Sequence, residues 1–116
     1  MPFDVQITTV RGFPVLDVQG ELDLLTAPEL AAKVEQALAG EPPLLAIDLT
    51  GTTFLDSSGA RQLARAARGA GRVGTAVQVV CPPDNRPVRL VIDLLDLSAL
   101  VPVLPSPDLI GRDGRP

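Results

Sequence analysis

A mixed, mainly parallel β-sheet with an N-terminal hairpin, covered by about three helices, is the α/β fold class this sequence predicts. Three observations carry that expectation. Strand-like runs alternate with segments of helical periodicity in the order β-β-α-β-α-β-α-β, which builds parallel strands joined by crossover helices. A near-continuous apolar run, Leu44-Leu45-Ala46-Ile47-Asp48-Leu49, has the composition of a central strand buried on both faces. Two strand runs at the start, parted only by Arg11-Gly12, supply the hairpin that makes the sheet mixed. At 116 residues and 12.1 kDa the chain fits one domain with a core of its own. That domain is expected to span residues 1–104, and the Pro/Gly-rich stretch 105–116 to form a flexible tail.

Val5 to Val10 and Phe13 to Gln19 read as the hairpin strands, and Gly20-Glu21-Leu22-Asp23 closes the second. Thr26-Ala27-Pro28-Glu29 then has the spacing of a capping box, with Pro28 in the first turn where its missing N–H costs nothing. Leu30, Val34, Ala37 and Leu38 give the following helix a core stripe, and Gly40 with Pro42-Pro43 ends it. After the strand Leu44–Leu49 comes a short Gly/Thr loop, then Phe54-Leu55-Asp56-Ser57-Ser58-Gly59 at the start of an Ala-rich helix without β-branched residues from Gly59 to Arg72. On that helix Arg61, Arg65, Arg68 and Arg72 fall within roughly 60° of one another at 100° per residue, while Leu63, Ala67 and Ala70 lie opposite. Ala76 to Cys81 is a further strand stopped by Pro82-Pro83. A third helix runs from about Pro87 to Leu97, with apolar residues over roughly 220° of its circumference, twice what a one-sided helix needs. Its extra apolar surface is expected to meet a neighbouring helix or the tail, or else a partner. Leu100 to Leu104 completes the set as a short strand.

Composition excludes several functions. The net charge of −4 opposes binding of a phosphate backbone, and aromatics at 3%, with no Trp or Tyr, leave no platform for base stacking. No apolar run approaches the roughly 20 residues that span a bilayer. Met1-Pro2-Phe3-Asp4 lacks the basic start and apolar core of a signal peptide, so a cytoplasmic location is expected. Histidine is absent, Lys33 is the only lysine, and no glycine-rich phosphate loop occurs. A catalytic site, a bound cofactor and a metal are therefore not expected. Cys81 is the only cysteine and reads as a small buried hydrophobe ending a strand.

What remains is the stretch before the second helix. Asp56, Ser57 and Ser58 are all good N-caps, since their oxygens accept from free first-turn N–H groups. The same end of a helix welcomes an anion, so a phosphate on either serine would be tolerated there. Gly20-Glu21-Leu22-Asp23, then Thr26-Ala27-Pro28, then Asp56-Ser57-Ser58-Gly59 on a strand-to-helix turn resemble the STAS domain, specifically the stand-alone anti-sigma factor antagonists of bacteria, over about residues 4–104. The resemblance implies that Ser57, directly after the aspartate, is a phosphoacceptor, and that Asp23 lies near it in one binding face. It implies an anti-sigma factor with ATP-dependent serine kinase activity as partner, ATP being held by that partner. Binding by the unphosphorylated chain would free a sigma factor, phosphorylation would end binding, and a PP2C-type phosphatase would restore it. The expected partner face is Asp23, Leu24, Leu25, Asp56, Ser57, Ser58, Gly59 and Arg61, with Gly59 keeping bulk away from the approaching kinase. Leu24-Leu25 either anchors the partner or tucks inward. The family commonly ends in a further amphipathic helix, which this sequence replaces with its Pro/Gly stretch. The competing expectation is a constitutive STAS subunit of a transporter or stress-signalling assembly, with the serines serving only as caps.

Overall fold

The structure, a computed structural model, describes residues 2–112. Strands β1 (Asp4–Val10) and β2 (Phe13–Leu22) form the expected antiparallel hairpin. Its two-residue turn holds Arg11 at φ 51 and Gly12 at φ 83, and positive φ at both positions matches the right-handed twist of the flanking strands. Helix α1 (Ala27–Leu38) then crosses to β3 (Leu44–Asp48), which lies parallel to β2. Strand β4 (Thr52–Leu55) follows after a short turn and pairs with the end of β2, across a bulge at Gly20/Glu21. Helix α2 (Ser57–Arg72), β5 (Ala76–Val80), α3 (Arg86–Leu94), a 3-10 turn over Leu97–Ala99 and β6 (Val103–Leu104) complete the domain. Among the described residues the sheet has six strands in the order β1-β2-β3-β5-β6, with β4 on β2, and every pairing except the hairpin is parallel.

The three helices cover one face. Leu30 and Val34 of α1, Leu63, Ala66 and Ala70 of α2, and Val88 and Ile92 of α3 close over Leu16, Val18, Leu45, Ile47 and Val79 of the sheet. As its composition predicts, β3 is buried on both sides: Leu45 and Ile47 face the helices, whereas Leu44 and Ala46 face the opposite layer. Cys81 is fully buried at the end of β5. Burial pushes its thiol up from the ordinary 9.0, against the opposing pull of Arg89.

Several expectations need correction. The Gly/Thr loop before Phe54 runs into β4 at Thr52, a strand whose four residues, with only Thr52 and Leu55 buried, could not signal it. Thr26 occupies the N-cap position of α1 but makes no side-chain cap bond. It is already near-helical at φ −99, ψ −16, and its hydroxyl turns back to donate to the Glu21 carbonyl at 2.8 Å. Helix α3 stops at Leu94, because Asp96 adopts a left-handed φ of 54 before the 3-10 turn. The tail is not loose through residue 112. Ile110 is fully buried against Val15, Leu44, Ala46 and Val80 on the face without helices, and Gly111 donates its N–H to Gln78 Oε1 at 3.0 Å. Val15, Leu44, Ala46 and Val80 on that face need a cover, and Ile110 supplies it together with the half-buried Val10, Phe13 and Leu104. Residues 113–116 of the expected tail lie outside the described residues. Nor do residues 105–112 cover α3, since Ile110 packs on the other side of the sheet. Leu90, Leu94, Leu95 and Leu100 remain exposed.

Candidate functional site

The site is built by two neighbouring parallel strands that end together. Leu22 of β2 and Leu55 of β4 are in register. The next residues, Asp23 and Asp56, therefore leave the sheet side by side, about 5 Å apart at the backbone. The Asp56 N–H donates to the Leu22 carbonyl at 3.3 Å, which ties the two exits. Upstream, Asn85 Nδ2 donates to the carbonyls of Leu49 and Thr52 at 3.0 and 2.9 Å and fixes the turn from β3 into β4.

Among the three candidate caps, Asp56 takes the role. Its backbone is extended, at φ −110 and ψ −175, and its Oδ1 accepts from the Gly59 N–H at 2.9 Å. Ser57 and Ser58 are consequently the first two helical residues. Ser57 is exposed and Ser58 half-buried, and among the described residues neither hydroxyl is hydrogen-bonded within the protein. The cap is thus filled by a carboxylate, and both serines sit in the first turn, at the positive end of a helix of 16 residues.

Asp23 shapes the loop beside it. Its Oδ1 accepts from the N–H groups of Leu25 and Thr26 at 3.0 and 3.1 Å, while the Thr26 hydroxyl accepts from the Asp23 N–H at 2.9 Å. Closed on itself in this way, the loop thrusts Leu24 and Leu25 outward at 68% and 85% exposure. Neither tucks inward. Arg61, one turn beyond Ser57, is exposed as well.

Gly59 departs from its expected role. It is buried, and a Cβ there would meet the Leu22 carbonyl oxygen at 2.5 Å and Leu55 Cδ1 at 2.7 Å. Its bareness admits the ends of β2 and β4 against the first turn of α2, so it supports the face from beneath. The residue belongs to the foundation of the site and presents nothing to a partner.

Two grooves flank the arrangement. One, of about 250 Å³, opens between α2 and the α3 corner and is lined by Ser57, Ala60, Arg61, Ala64, Leu95 and Leu100. The other, of about 310 Å³, lies between α1 and α2 and is lined by Leu24, Ala27, Pro28, Ala31, Ser58 and Arg61. Arg61 forms the ridge between them. The first groove, like the Asn85 clamp, arises from packing between distant segments; its sequence signal was the excess apolar arc of the third helix. No cluster of potential metal ligands occurs among the described residues, and no described helix is long and apolar enough to cross a membrane.

Comparison with known proteins places this geometry. The family model described as Mlab, STAS domain, matches residues 5–102. The anti-sigma-F factor antagonist RsfB of Mycobacterium tuberculosis is 35% identical over 94 residues, covering 81% of this chain and 75% of that protein. A solved anti-sigma factor antagonist from Mycobacterium paratuberculosis superposes with a TM-score of 0.78 at 31% identity, over 92% of this chain and 89% of the other. The phosphorylated form of the Bacillus cell fate determinant SpoIIAA superposes with a TM-score of 0.67, over 96% and 98% of the two chains; its 21% identity speaks for the fold alone.

Proposed function

The chain belongs to the STAS domain family, and from that membership we propose that it is an anti-sigma factor antagonist switched by phosphorylation of Ser57. Unphosphorylated, it binds an anti-sigma factor that is also a serine kinase, and so frees a sigma factor. The kinase, holding ATP, adds a phosphate to Ser57 and ends the binding; a PP2C-type phosphatase reverses the step. The partner face consists of Asp23, Leu24, Leu25, Asp56, Ser57, Ser58 and Arg61.

One observation carries this reading: Asp56 fills the cap, so the Ser57 hydroxyl is exposed, without a protein partner among the described residues, and free to be a substrate. A serine needed as the cap would point its oxygen into the helix. A phosphate adds about −1.5 to −2 charge beside Asp56 and Asp23. An interface fitted to a neutral hydroxyl then meets like-charge repulsion and the desolvation of a dianion.

The test incubates the chain with its anti-sigma factor kinase and ATP and counts phosphates by mass spectrometry. One phosphate is expected, lost in Ser57→Ala and retained in Ser58→Ala. If Ser58→Ala alone blocks the modification, the assignment of the site is wrong. A chain that stays unmodified, and co-purifies from cells with a fixed assembly, supports the constitutive-subunit alternative instead.

A further inference from the structure

We propose that the arginine ridge of α2 and the leucine-lined groove beside it dock an acidic amphipathic helix, contributed by the anti-sigma factor. This rests on the reading of the Ser57 face as an antagonist's binding face, and it names what the partner brings there. Arg61, Arg65, Arg68 and Arg72 are all exposed on α2, a helix with no acidic residue. Among the described residues the only ion pair joins Arg89 to Asp93, which leaves the α2 arginines unneutralised. The ridge is therefore a local concentration of positive charge on a protein of net charge −4.

The geometry favours a helix. Arginines spaced by +4, +3 and +4 place a cation every 4.5–6 Å or so along α2. Carboxylates three and four residues apart on a helix laid alongside have the same spacing. One face of that helix then reaches the groove, whose wall carries Leu95 at 49% and Leu100 at 56% exposure, with Leu94 at 72% beside it. Apolar residues at one-turn intervals fit such a groove. A second copy of this chain is a poor occupant, since a two-fold contact would set arginines against arginines. An anionic bilayer is disfavoured by the concave groove and by the negative net charge.

The test titrates the full chain with its purified anti-sigma factor kinase by calorimetry, and maps the complex by hydrogen exchange. Wild type is compared with Arg65→Glu/Arg68→Glu, Leu95→Ser/Leu100→Ser and Ser57→Asp, each checked for an unchanged circular dichroism melt, as expected for exposed positions. Both double variants are expected to weaken binding at least tenfold, and the arginine pair to flatten its salt dependence. The protected kinase segment is expected to be a helix with carboxylates and leucines at three- and four-residue spacing. If wild type binds and Ser57→Asp does not, while both double variants bind like wild type or the protected segment is not an acidic helix, docking is refuted and the switch stands. If wild type fails to bind, or Ser57→Asp binds as tightly, the switch itself fails and the docking proposal falls with it. Co-sedimentation of wild type with phosphatidylglycerol-containing vesicles, abolished by the arginine pair, would overturn the proposal in favour of a membrane. Concentration-dependent dimerisation abolished by the leucine pair would overturn it in favour of a second copy.

Discussion

Replacing Gly59 by alanine tests the foundation of the site directly. The added methyl would lie 2.5 Å from the Leu22 carbonyl oxygen, 2.7 Å from Leu55 Cδ1 and 2.9 Å from Leu22 Cγ. The leucine side chains can yield by rotation. The carbonyl cannot retreat freely, because it accepts the Asp56 N–H that joins the ends of β2 and β4. Overpacking of this kind costs about 1–3 kcal/mol. Against it stands the gain of about 1 kcal/mol when alanine replaces glycine inside a helix. The backbone contact puts the cost at the upper end, so a net loss of about 1–2 kcal/mol is expected, or roughly 4–8 °C in Tm for a domain of this size. Gly69→Ala is the control: it lies on the same helix with nothing within 4 Å of its Cβ. There the propensity gain is unopposed, and Tm is expected to rise by a few degrees. Melting is followed by far-ultraviolet circular dichroism, since the chain has no Trp or Tyr to report by fluorescence. If Gly59→Ala melts at or above wild type, the close approach of α2 to the strand ends is wrong, and with it the placement of Ser57.

Three further outcomes follow from the rest of the fold. Ile110→Ala removes a fully buried side chain from the face without helices and is expected to cost about 2–5 kcal/mol by urea denaturation, with Ser57 phosphorylation unaffected. A loss under about 0.5 kcal/mol would show that the C-terminal segment is not part of the folded domain. Cys81 is expected to resist a disulfide reagent at about pH 8 until urea unfolds the chain. Its folded pKa lies above the unfolded value, so the stability held by the neutral thiol is intact below about pH 9 and is lost as pH rises through the folded value. Urea midpoints across that range should fall more steeply for wild type than for Cys81→Ala, and parallel curves would refute the burial of the thiol.

How much of this was legible in the sequence depended on the range of the interactions. The hairpin, the doubly buried β3 and the core stripes of α1 and α2 follow from local periodicity, and each appears where the pattern predicts. Thr26 shows the limit of a motif read locally. Its spacing to Glu29 suits a capping box, but the folded loop turns the hydroxyl back, where it donates to the Glu21 carbonyl and accepts from the Asp23 N–H rather than from the first turn of α1. Strand β4 owes its existence to pairing with β2 and to the Asn85 clamp from 33 residues away, neither of which leaves a periodic trace. Ile110 is similar: an apolar residue in a Pro/Gly-rich stretch, next to an exposed Leu109, becomes a core residue only because the sheet offers an uncovered face. At the site, the Asp-Ser-Ser-Gly string announced a helix start, yet it could not say which oxygen caps. That is decided by the extended backbone at Asp56, which aims the carboxylate, and no serine, at the Gly59 N–H.

The division of labour at the helix start also fixes where a phosphate on Ser57 would act. In the free domain the positive helix terminus favours it by about 0.3–1 kcal/mol. Asp56 and Asp23 oppose it. At separations on the order of 6 Å in water-like surroundings, each unit-charge repulsion is about 0.7 kcal/mol before salt screening, which reduces it by about half. For a near-dianion facing two carboxylates the balance is a net cost of about 0–1 kcal/mol, well within the 5–15 kcal/mol that holds a domain together. Seating the same face against a partner removes water from all three groups, and an effective dielectric nearer 20 multiplies each repulsion about fourfold while lifting the screening. On the proposed switch, the fold would therefore tolerate the phosphate and the complex would not. Asp56, which caps the helix that carries the serine, and Asp23 beside it are the charges that would make its phosphate decisive, so Asp23→Asn is expected to leave Ser57→Asp partly able to bind, where the single Ser57→Asp variant is not.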